Sequence, residues 1–290
     1  MKEFADKVAV ITGAASGIGR ALAERSIREG MKVVLADADH ATLERTANEL
    51  KAAGADVLAV RTDVSKREEV EALAHQTIEA FGAVHLLFNN AGVAAGGSPW
   101  EATWNDWEWV LGVNLWGVIH GVKVFTPLML EQQTECRIIN TASAAGLVSG
   151  SFSSPYAVSK HAVVALSENL YLTLLQRGSL VKASVLCPGV VRTNIHNAES
   201  HRPEHLRNPS AESGPDRQAG KAAVEAAFAA AASSEAVADM VFDAIRNDQF
   251  YILTDPRWLE VIRMRATSLS TAQNPEDPTA AILRIVRPQS

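Results

Sequence analysis

Tyr156 and Lys160 are the residues with the clearest potential for proton transfer. The sequence Ser-Pro-Tyr-Ala-Val-Ser-Lys at residues 154–160 predicts a helix start, with Ser154 as the N-cap and Pro155 in the first helical position. Tyr156 and Lys160, four residues apart, would share one helix face. An ammonium at ~4 Å, with an effective dielectric of ~20, favours the phenolate by about 4 kcal/mol, or roughly 3 pKa units before desolvation is subtracted. The pair therefore indicates a tyrosine that exchanges protons near neutral pH, although a half-buried aromatic residue beside a solvated amine has the same spacing.

Two further polar residues could assist such a tyrosine. Ser143 follows a predicted buried strand at residues 137–141, and the loop after it is rich in glycine and serine. Such a loop can fold back and place the Ser143 hydroxyl beside Tyr156, although a plain serine at a strand end fits equally. Asn114 lies inside an amphipathic helix predicted to end near Met129. A buried amide there needs hydrogen-bond partners, so it either holds structure or orders a water.

A glycine-rich turn near the N-terminus could bind a phosphate group. Residues 12–19 read Thr-Gly-Ala-Ala-Ser-Gly-Ile-Gly and join a predicted strand at 8–12 to a predicted helix at 21–29. Glycines allow a pyrophosphate to approach the backbone, and the helix N-terminus stabilises its charge. The spacing is T-G-x-x-x-G-I-G rather than the usual G-x-G-x-x-G. A tight strand-to-helix connection without a ligand is the alternative.

Asp37 bears on which nucleotide would bind. It follows a second predicted strand at residues 32–36, about twenty residues beyond the glycines, where an acid accepts hydrogen bonds from the adenosine ribose. Its charge would repel a 2'-phosphate, and the neutral residues Ser16 and Ala38 offer no compensating cation. The sequence therefore favours NAD, unless Asp37 caps the helix beginning near Asp39.

The elements that position these residues alternate regularly. This alternation predicts right-handed crossovers and an α/β fold, a doubly wound parallel sheet (Rossmann fold) in a single domain. Asp63, Val64 and residues 89–92 (Asn-Asn-Ala-Gly) follow strands, at the sheet edge where such folds bind ligands, although either loop could be turn chemistry alone. Further predicted helices lie at 41–53, 66–81, 222–232, 234–246 and around 258–265, and further strands at 56–61, 84–89, 181–186 and 250–253.

Three segments have no assigned chemistry. Residues 194–220 are polar, contain His196, His201 and His205, and predict a lid-like loop; these histidines lack a matched carboxylate or cysteine, so no metal is expected. Five of the six tryptophans fall within residues 100–116, which indicates core or a subunit interface. The end, residues 274–290, is expected to be partly mobile or packed on a neighbouring subunit.

Composition narrows the class of protein. A chain of 290 residues that is 47% hydrophobic can bury a large core, and its net charge of −6 argues against nucleic acid as a partner. No signal peptide and no uncharged apolar run of ~18 residues is evident, so no membrane partner and a cytoplasmic location are expected. Cys136 and Cys187, the two cysteines, each lie in an apolar segment and read as core residues.

Taken jointly, these motifs resemble the short-chain dehydrogenase/reductase family in order and spacing. The resemblance covers about residues 5–255. It implies a catalytic domain at residues 1–255, within which 194–232 form a substrate lid, and a C-terminal extension at 256–290. It implies that Tyr156 is the general acid/base, that Lys160 lowers its pKa and bonds the nicotinamide ribose, and that Ser143 orients the substrate. It further implies that Asn114 holds a water linking Lys160 to solvent. The implied cofactor-binding residues, besides Tyr156, Lys160 and Asp37, are Gly13, Ser16, Gly17, Ile18, Gly19, Asp63, Val64, Asn90, Ala91, Gly92, Pro188, Gly189, Val191 and Thr193.

The resemblance implies reversible NAD-dependent oxidation of a secondary alcohol to a ketone, in a homodimer or homotetramer. The small residues Ala94, Ala95, Ala144 and Ala145 suggest a roomy apolar site and a bulky lipophilic small-molecule substrate, such as a hydroxysteroid, terpenoid or aryl alcohol. Two alternatives stay open. One is a non-catalytic NAD-binding or structural protein of this fold, and the other is a different chemistry of the family, such as dehydration or epimerisation.

Overall fold

The structure, a computed structural model, describes residues 1–150, 153–209 and 231–286. Strands and helices alternate through most of it, as the hydrophobic runs and amphipathic segments predict. The strands are β1 (Val8–Thr12), β2 (Lys32–Asp37), β3 (Val57–Arg61), β4 (Leu86–Asn89), β5 (Cys136–Thr141), β6 (Val181–Cys187) and β7 (Tyr251–Leu253). The helices are α1 (Gly17–Arg28), α2 (His40–Ala52), α3 (Arg67–Phe81), α4 (Trp104–Leu111), α5 (Gly117–Glu131), α6 (Ser154–Gln176), α7 (Ser234–Arg246), α8 (Trp258–Ser270) and α9 (Thr279–Val286), with a π-helical segment (Gly112–Trp116) between α4 and α5.

The seven strands form one parallel sheet in the order β3-β2-β1-β4-β5-β6-β7. Every residue of β1 and β5 is buried, as predicted for strands at these positions. The strand order reverses between β1 and β4, and open α/β sheets bind ligands at such a reversal. The α/β prediction is confirmed, and it places the binding cleft at the carboxyl ends of β1 and β4.

Two predicted helix starts are displaced. Helix α1 begins at Gly17 rather than Ala21, so its first turn contains two of the glycines of the glycine-rich turn. The N–H groups of this first turn have no partner within the helix. Helix α6 begins at Ser154, so Ser153 rather than Ser154 is its N-cap. Ser154 is therefore the first residue of the helix, and its N–H donates a hydrogen bond to the Gly97 carbonyl, 2.9 Å away.

The C-terminal segment packs on its own chain. Residues 279–286, part of the end expected to be partly mobile or packed on a neighbouring subunit, form α9, and packing on a neighbour stays a prediction. Ala281 and Ile285, four residues apart on its inner face, are buried against Trp258 and Val261 of α8. The same cluster contains Ala144, directly after Ser143, so the extension adjoins the candidate site.

The tryptophan-rich segment is less buried than its clustering suggests. Trp109 is 4% exposed, whereas Trp104 is 88% and Trp116 is 53% exposed. The core interpretation therefore holds for Trp109, and a subunit interface for the others stays a prediction. The continuous helical stretch Trp104–Glu131 is long and apolar enough to cross a membrane by length and composition. Here Phe125 and Met129, in that stretch, are fully buried in the core of the α/β domain.

The helix predicted at 222–232 lies mostly outside the described residues. At its end, Ala232 forms a parallel bridge with Val191, so this residue is not helical. The described part of the lid-like segment contains two 3-10 helices, Ile195–His201 and Glu204–Leu206. Cys136 and Cys187 are free and buried, as predicted.

Candidate active site

A cleft of about 1240 Å³ lies along the carboxyl edge of the sheet. It brings together the residues that the sequence proposed for the cofactor, the catalysis and the apolar pocket, with three exceptions: Gly19, Ala95 and Asn114 do not line it. The predicted residues that line the cleft are Gly13, Ser16, Gly17, Ile18, Asp37, Asp63, Val64, Asn90, Ala91, Gly92, Ser143, Tyr156, Lys160, Pro188, Gly189, Val191 and Thr193.

The glycine turn has no room for side chains at two positions. Gly13 has φ +66°, and a Cβ atom there would lie 2.8 Å from the Cα atom of Ala91. A Cβ atom on Gly19 would lie 1.9 Å from the Gly13 carbonyl oxygen. Glycine is therefore required at both positions: Gly13 forms the turn, and Gly19 lets α1 approach it closely. The exposed face of this turn is a backbone cradle of the kind that accepts a pyrophosphate.

Thr12 and Asn90 join the ends of β1 and β4. The Thr12 hydroxyl accepts hydrogen bonds from the N–H groups of Asn90 (2.9 Å) and Ala91 (3.1 Å). The Asn90 amide donates to the Thr12 carbonyl at 3.0 Å, and the Thr141 hydroxyl donates to Asn90 Oδ1 at 3.3 Å. These bonds fix residues 90–92 at the topological reversal, which gives a structural role to the loop that could have been a simple turn.

Asp37 faces the cleft at the end of β2. Burial raises the pKa of Asp37, and hydrogen bonds from the N–H groups of Asp39 and Ala15 oppose that rise. The alternative role as a helix cap is wrong, because Asp39 is the N-cap of α2 and accepts from Thr42 N–H at 3.1 Å. Asp63, by contrast, directs Oδ1 to the Ser65 N–H and hydroxyl, which is the turn chemistry considered for it.

Tyr156 and Lys160 lie on one face of α6, with Lys160 Nζ 5.5 Å from the centre of the Tyr156 ring. The ammonium donates to the Thr141 carbonyl at 3.0 Å. Burial raises the pKa of Tyr156, and a hydrogen bond with Ser143 opposes this effect. Burial lowers the pKa of Lys160 from 10.5 to about 8. Desolvation is therefore the largest effect on the pKa of both groups and favours their neutral forms, and a lowering of the Tyr156 pKa by Lys160 stays a prediction.

Burial of Lys160 predicts a specific pH dependence of stability. Its pKa is about 8 in the folded chain and about 10.5 when exposed, so between these values the unfolded chain binds more protons and stability rises with pH. Lys160→Met removes this group. The free energy of unfolding of the variant, relative to the wild type, should fall by about 2 to 3 kcal/mol between pH 7 and pH 10. Urea unfolding of both proteins at the two pH values measures this change, and parallel pH profiles would contradict it.

Asn114 is fully buried in the π-helical segment. Its amide clamps Val93, accepting from the Val93 N–H at 2.8 Å and donating to the Val93 carbonyl at 2.9 Å. It also donates to the Ser159 hydroxyl at 3.1 Å. The prediction that this amide needs internal partners is confirmed; these bonds tie the α4–α5 junction to α6 beside Lys160.

Ser143 lies where β5 ends. Its hydroxyl accepts from Ala145 N–H at 3.1 Å and reaches the Pro188 carbonyl at 3.4 Å. Ala144 N–H donates to the same carbonyl at 2.7 Å. After Ser143 the loop folds back onto α6: a Cβ atom on Gly146 would lie 2.5 Å from the Lys160 carbonyl oxygen. The Ser143 hydroxyl forms a hydrogen bond with Tyr156, as predicted.

Several residues of the cleft were not singled out by the sequence. Trp109, Trp116, Trp258 and Val286 all line it, and three of them come from segments interpreted as core, interface or tail. Trp258 was visible only as part of a predicted helix. Its indole packs on Gly189, where a Cβ atom would lie 2.7 Å from Trp258 Nε1. No local pattern indicates these contacts, since they join residues far apart in the chain.

Comparison with known proteins agrees with this geometry. A family model described as short chain dehydrogenase matches residues 7–204. A CLA biosynthesis dehydrogenase/reductase from Lactiplantibacillus plantarum is 36% identical over 281 residues, covering 95% of this chain and 97% of the relative. A 1-deoxy-11-beta-hydroxypentalenate dehydrogenase from Streptomyces exfoliatus is 38% identical over 251 residues, covering 86% and 83%. The crystal structure of a short chain dehydrogenase/reductase from Burkholderia phymatum in complex with NAD has 51% sequence identity and a TM-score of 0.91, covering 96% of this chain and 99% of that chain.

The matched segment contains the glycine turn, Asn114, Ser143 and the Tyr156 and Lys160 pair. The relatives described above are oxidoreductases, and the match to the CLA biosynthesis dehydrogenase/reductase covers nearly the whole chain. This chain belongs to the short-chain dehydrogenase/reductase family.

Proposed function

We propose that this protein catalyses the reversible NAD-dependent oxidation of a secondary alcohol to a ketone. The observation that carries the proposal is the cleft itself. Tyr156, Lys160 and Ser143 line one part, and the glycine turn and Asp37 line another part of the same cleft. A proton-transfer group and a dinucleotide cradle are thus within one cavity, as hydride transfer to a nicotinamide requires.

The residues present fit a dinucleotide. The backbone of the turn is packed too closely for a Cβ atom at Gly13 or Gly19, which leaves a tight strand-to-helix turn of the kind that accepts a pyrophosphate. Asp37 presents a carboxylate where an adenosine ribose would lie. Residues that would hold the nicotinamide half are Tyr156, Lys160, Pro188, Gly189, Val191 and Thr193. The chemistry that bound NAD supplies is acceptance of a hydride.

The protein's own contribution is proton transfer and positioning. In our proposal, the Tyr156 phenolate takes the proton of the substrate hydroxyl as the carbinol carbon loses its hydride. In ketone reduction the same phenol returns that proton. Lys160, protonated below its pKa of about 8, stabilises the phenolate. The Ser143 hydroxyl orients the substrate oxygen, while Asn114 holds the segment beside Lys160 and orders the water that links Lys160 to solvent.

We further propose a bulky lipophilic substrate. Beside Tyr156 and Ser143 the cleft is lined by apolar side chains: Ala94, Ala144, Ala145, Trp109, Trp258 and Val286. The hydroxypentalenate dehydrogenase relative is named for a substrate larger than a simple alcohol. We also propose a cytoplasmic homodimer or homotetramer with a small-molecule substrate.

A screen for NADH formation tests the proposal directly. Purified enzyme should reduce NAD with at least one alcohol from a panel of steroids, terpenoid alcohols, aryl alcohols and hydroxyacyl thioesters. Turnover of small polar alcohols alone would contradict the lipophilic substrate. Binding of NADH without turnover of any alcohol or ketone would favour a non-catalytic protein, and product formation without net NADH would favour dehydration or epimerisation.

The Asp37 carboxylate should make NAD the preferred cofactor. A charge in contact with a 2'-phosphate disfavours NADP by at least about 10²-fold in kcat/KM. Asp37→Asn should reduce that preference by about tenfold or more, measured as the ratio of kcat/KM for the two cofactors. Asp39→Asn is the matched control, because its side chain caps α2 by accepting from Thr42. A wild-type preference for NADP would refute the assignment.

A further inference from the structure

Arg202 is a charged residue that the proposed chemistry does not use. It lies between the two 3-10 helices of the lid and is only 3% exposed. Burying a guanidinium is unfavourable unless its charge and N–H groups are satisfied. Its partners therefore identify what this part of the chain is built to hold.

Those partners come from both the lid and α4. Arg202 Nη2 donates to Asp106 Oδ1 at 2.6 Å, and the guanidinium lies over the Trp109 ring at 4.3 Å. Both of these residues belong to α4. Within the lid, Arg202 pairs with Glu199 at 2.7 Å and donates to the Leu206 carbonyl at 3.2 Å. One side chain thus joins the two turns of the lid to each other and to α4.

Both carboxylate oxygens of Asp106 accept hydrogen bonds at this junction. Its Oδ2 accepts from the Thr103 N–H at 2.9 Å and hydroxyl at 3.0 Å, which closes the capping box of α4. Its Oδ1 accepts from Arg202 and from the Asn208 amide at 2.9 Å. Burial would raise the pKa of Asp106, but hydrogen bonds from Thr103, Arg202 and Asn208 outweigh that effect and lower it. The carboxylate is therefore ionised at neutral pH and ties the lid to the start of the helix.

The junction adjoins the candidate active site. Trp109, stacked beneath Arg202, belongs to an apolar cluster with Ala198 and Leu206 of the lid, and Tyr156 packs against this cluster. Ala198, Leu206 and Trp109 all line the cleft. Displacing Arg202 would therefore release the apolar wall beside the proposed acid/base.

We propose that Arg202 is a positioning residue that latches the lid to α4 through Asp106 and Trp109, giving the substrate pocket a preformed roof over Tyr156. The inference rests on the proposed function for its kinetic consequence, while the latch itself can be measured without turnover. Substrate affinity depends on the roof, whereas the proton-transfer groups lie on α6 and after β5. Loss of the latch should therefore act on KM more than on kcat.

Arg202→Met tests the latch, since methionine keeps an apolar stem over Trp109 and removes the charge. Hydrogen–deuterium exchange of residues 195–206 should be faster by about tenfold or more in the variant, with exchange in β1, β4 and β5 unchanged. The KM for an accepted alcohol should rise by about tenfold with kcat within about twofold. NADH binding, followed by fluorescence, reports whether the cofactor site is intact.

Arg207→Met is the matched control. Arg207 lies in the same segment and pairs with Glu204 at 2.6 Å, but both side chains are exposed, so its loss should change neither exchange nor KM. Asp106→Asn provides a second variant and should also speed lid exchange. The double variant should be no worse than the more affected single one, because both remove one interaction.

Unchanged exchange at residues 195–206 in Arg202→Met and Asp106→Asn would overturn the proposal. Faster exchange throughout the sheet would also overturn it, since Arg202 would then support the whole fold rather than the lid. Local acceleration, in a protein for which no alcohol is found, would support the latch and count against the proposed oxidation alone.

Discussion

Replacing Tyr156 with phenylalanine should lower kcat for alcohol oxidation by about 10² to 10⁴-fold, the usual contribution of a positioned general acid or base. The substitution removes only the hydroxyl and keeps the ring, which packs against the cluster of Trp109, Val110, Ala198 and Leu206. The glycine turn proposed to bind the dinucleotide lies in another part of the cleft, so the affinity for NADH should be kept. Steady-state kinetics with an accepted alcohol, together with NADH fluorescence titration, measures both effects.

Tyr251→Phe is the control for this experiment. Tyr251 lies on β7, is partly exposed, and donates its hydroxyl hydrogen to Glu168 at 2.7 Å away from the cleft. Removing that hydroxyl should leave kcat within about twofold, since the lost bond is at the surface. A Tyr156→Phe enzyme that retained most of its activity would show that another group transfers the proton.

Gly19→Ala should weaken NADH binding by about 10²-fold or more. The new Cβ atom would lie 1.9 Å from the Gly13 carbonyl oxygen and 2.8 Å from Asn90 Nδ2. Backbone must therefore move at the turn, and Asn90 must release its bond to the Thr12 carbonyl. Strain of this kind in a packed site costs about 1 to 3 kcal/mol or more in stability. Fluorescence titration with NADH and urea unfolding measure the two effects.

Gly97→Ala separates this effect from the general cost of a methyl group. A Cβ atom on Gly97 would meet Glu101 at 3.7 Å, an ordinary contact, and Gly97 lies in the loop between β4 and α4. Its NADH affinity should match that of the wild type. Normal NADH binding by Gly19→Ala would show that the turn does not form the dinucleotide cradle.

Features set by local chemistry could be predicted from the sequence. The strands at residues 8–12 and the helix at 234–246 match the structure because each pattern is carried by consecutive residues. The alternation of strands and helices predicts the parallel sheet. The need of a buried amide for hydrogen-bond partners predicts that Asn114 is bonded within the protein. The roles of Tyr156, Lys160 and Ser143 come from the family pattern and stay predictions.

Electrostatic balance could not be predicted in the same way. The spacing indicated that Lys160 and Tyr156 lie on the same face of a helix, and in the structure they do. The direction of the Tyr156 pKa shift depends on how deeply α6 is covered by the cleft walls, which is a property of the whole fold. Burial has the largest effect on the Tyr156 pKa and raises it, while the hydrogen bond with Ser143 acts in the opposite direction.

By itself, then, the sequence determined the alternating elements, the glycine-rich turn and the placing of a tyrosine and a lysine on one helix face, because each depends on residues close together in the chain. Only the tertiary structure decided what stands over that pair. Arg202 meets Asp106 across 96 positions, and Trp258 reaches Gly189 from a segment expected to be peripheral. Contacts of that range depend on how the lid and the C-terminal helices pack against the sheet, and no local pattern of residue types specifies that packing.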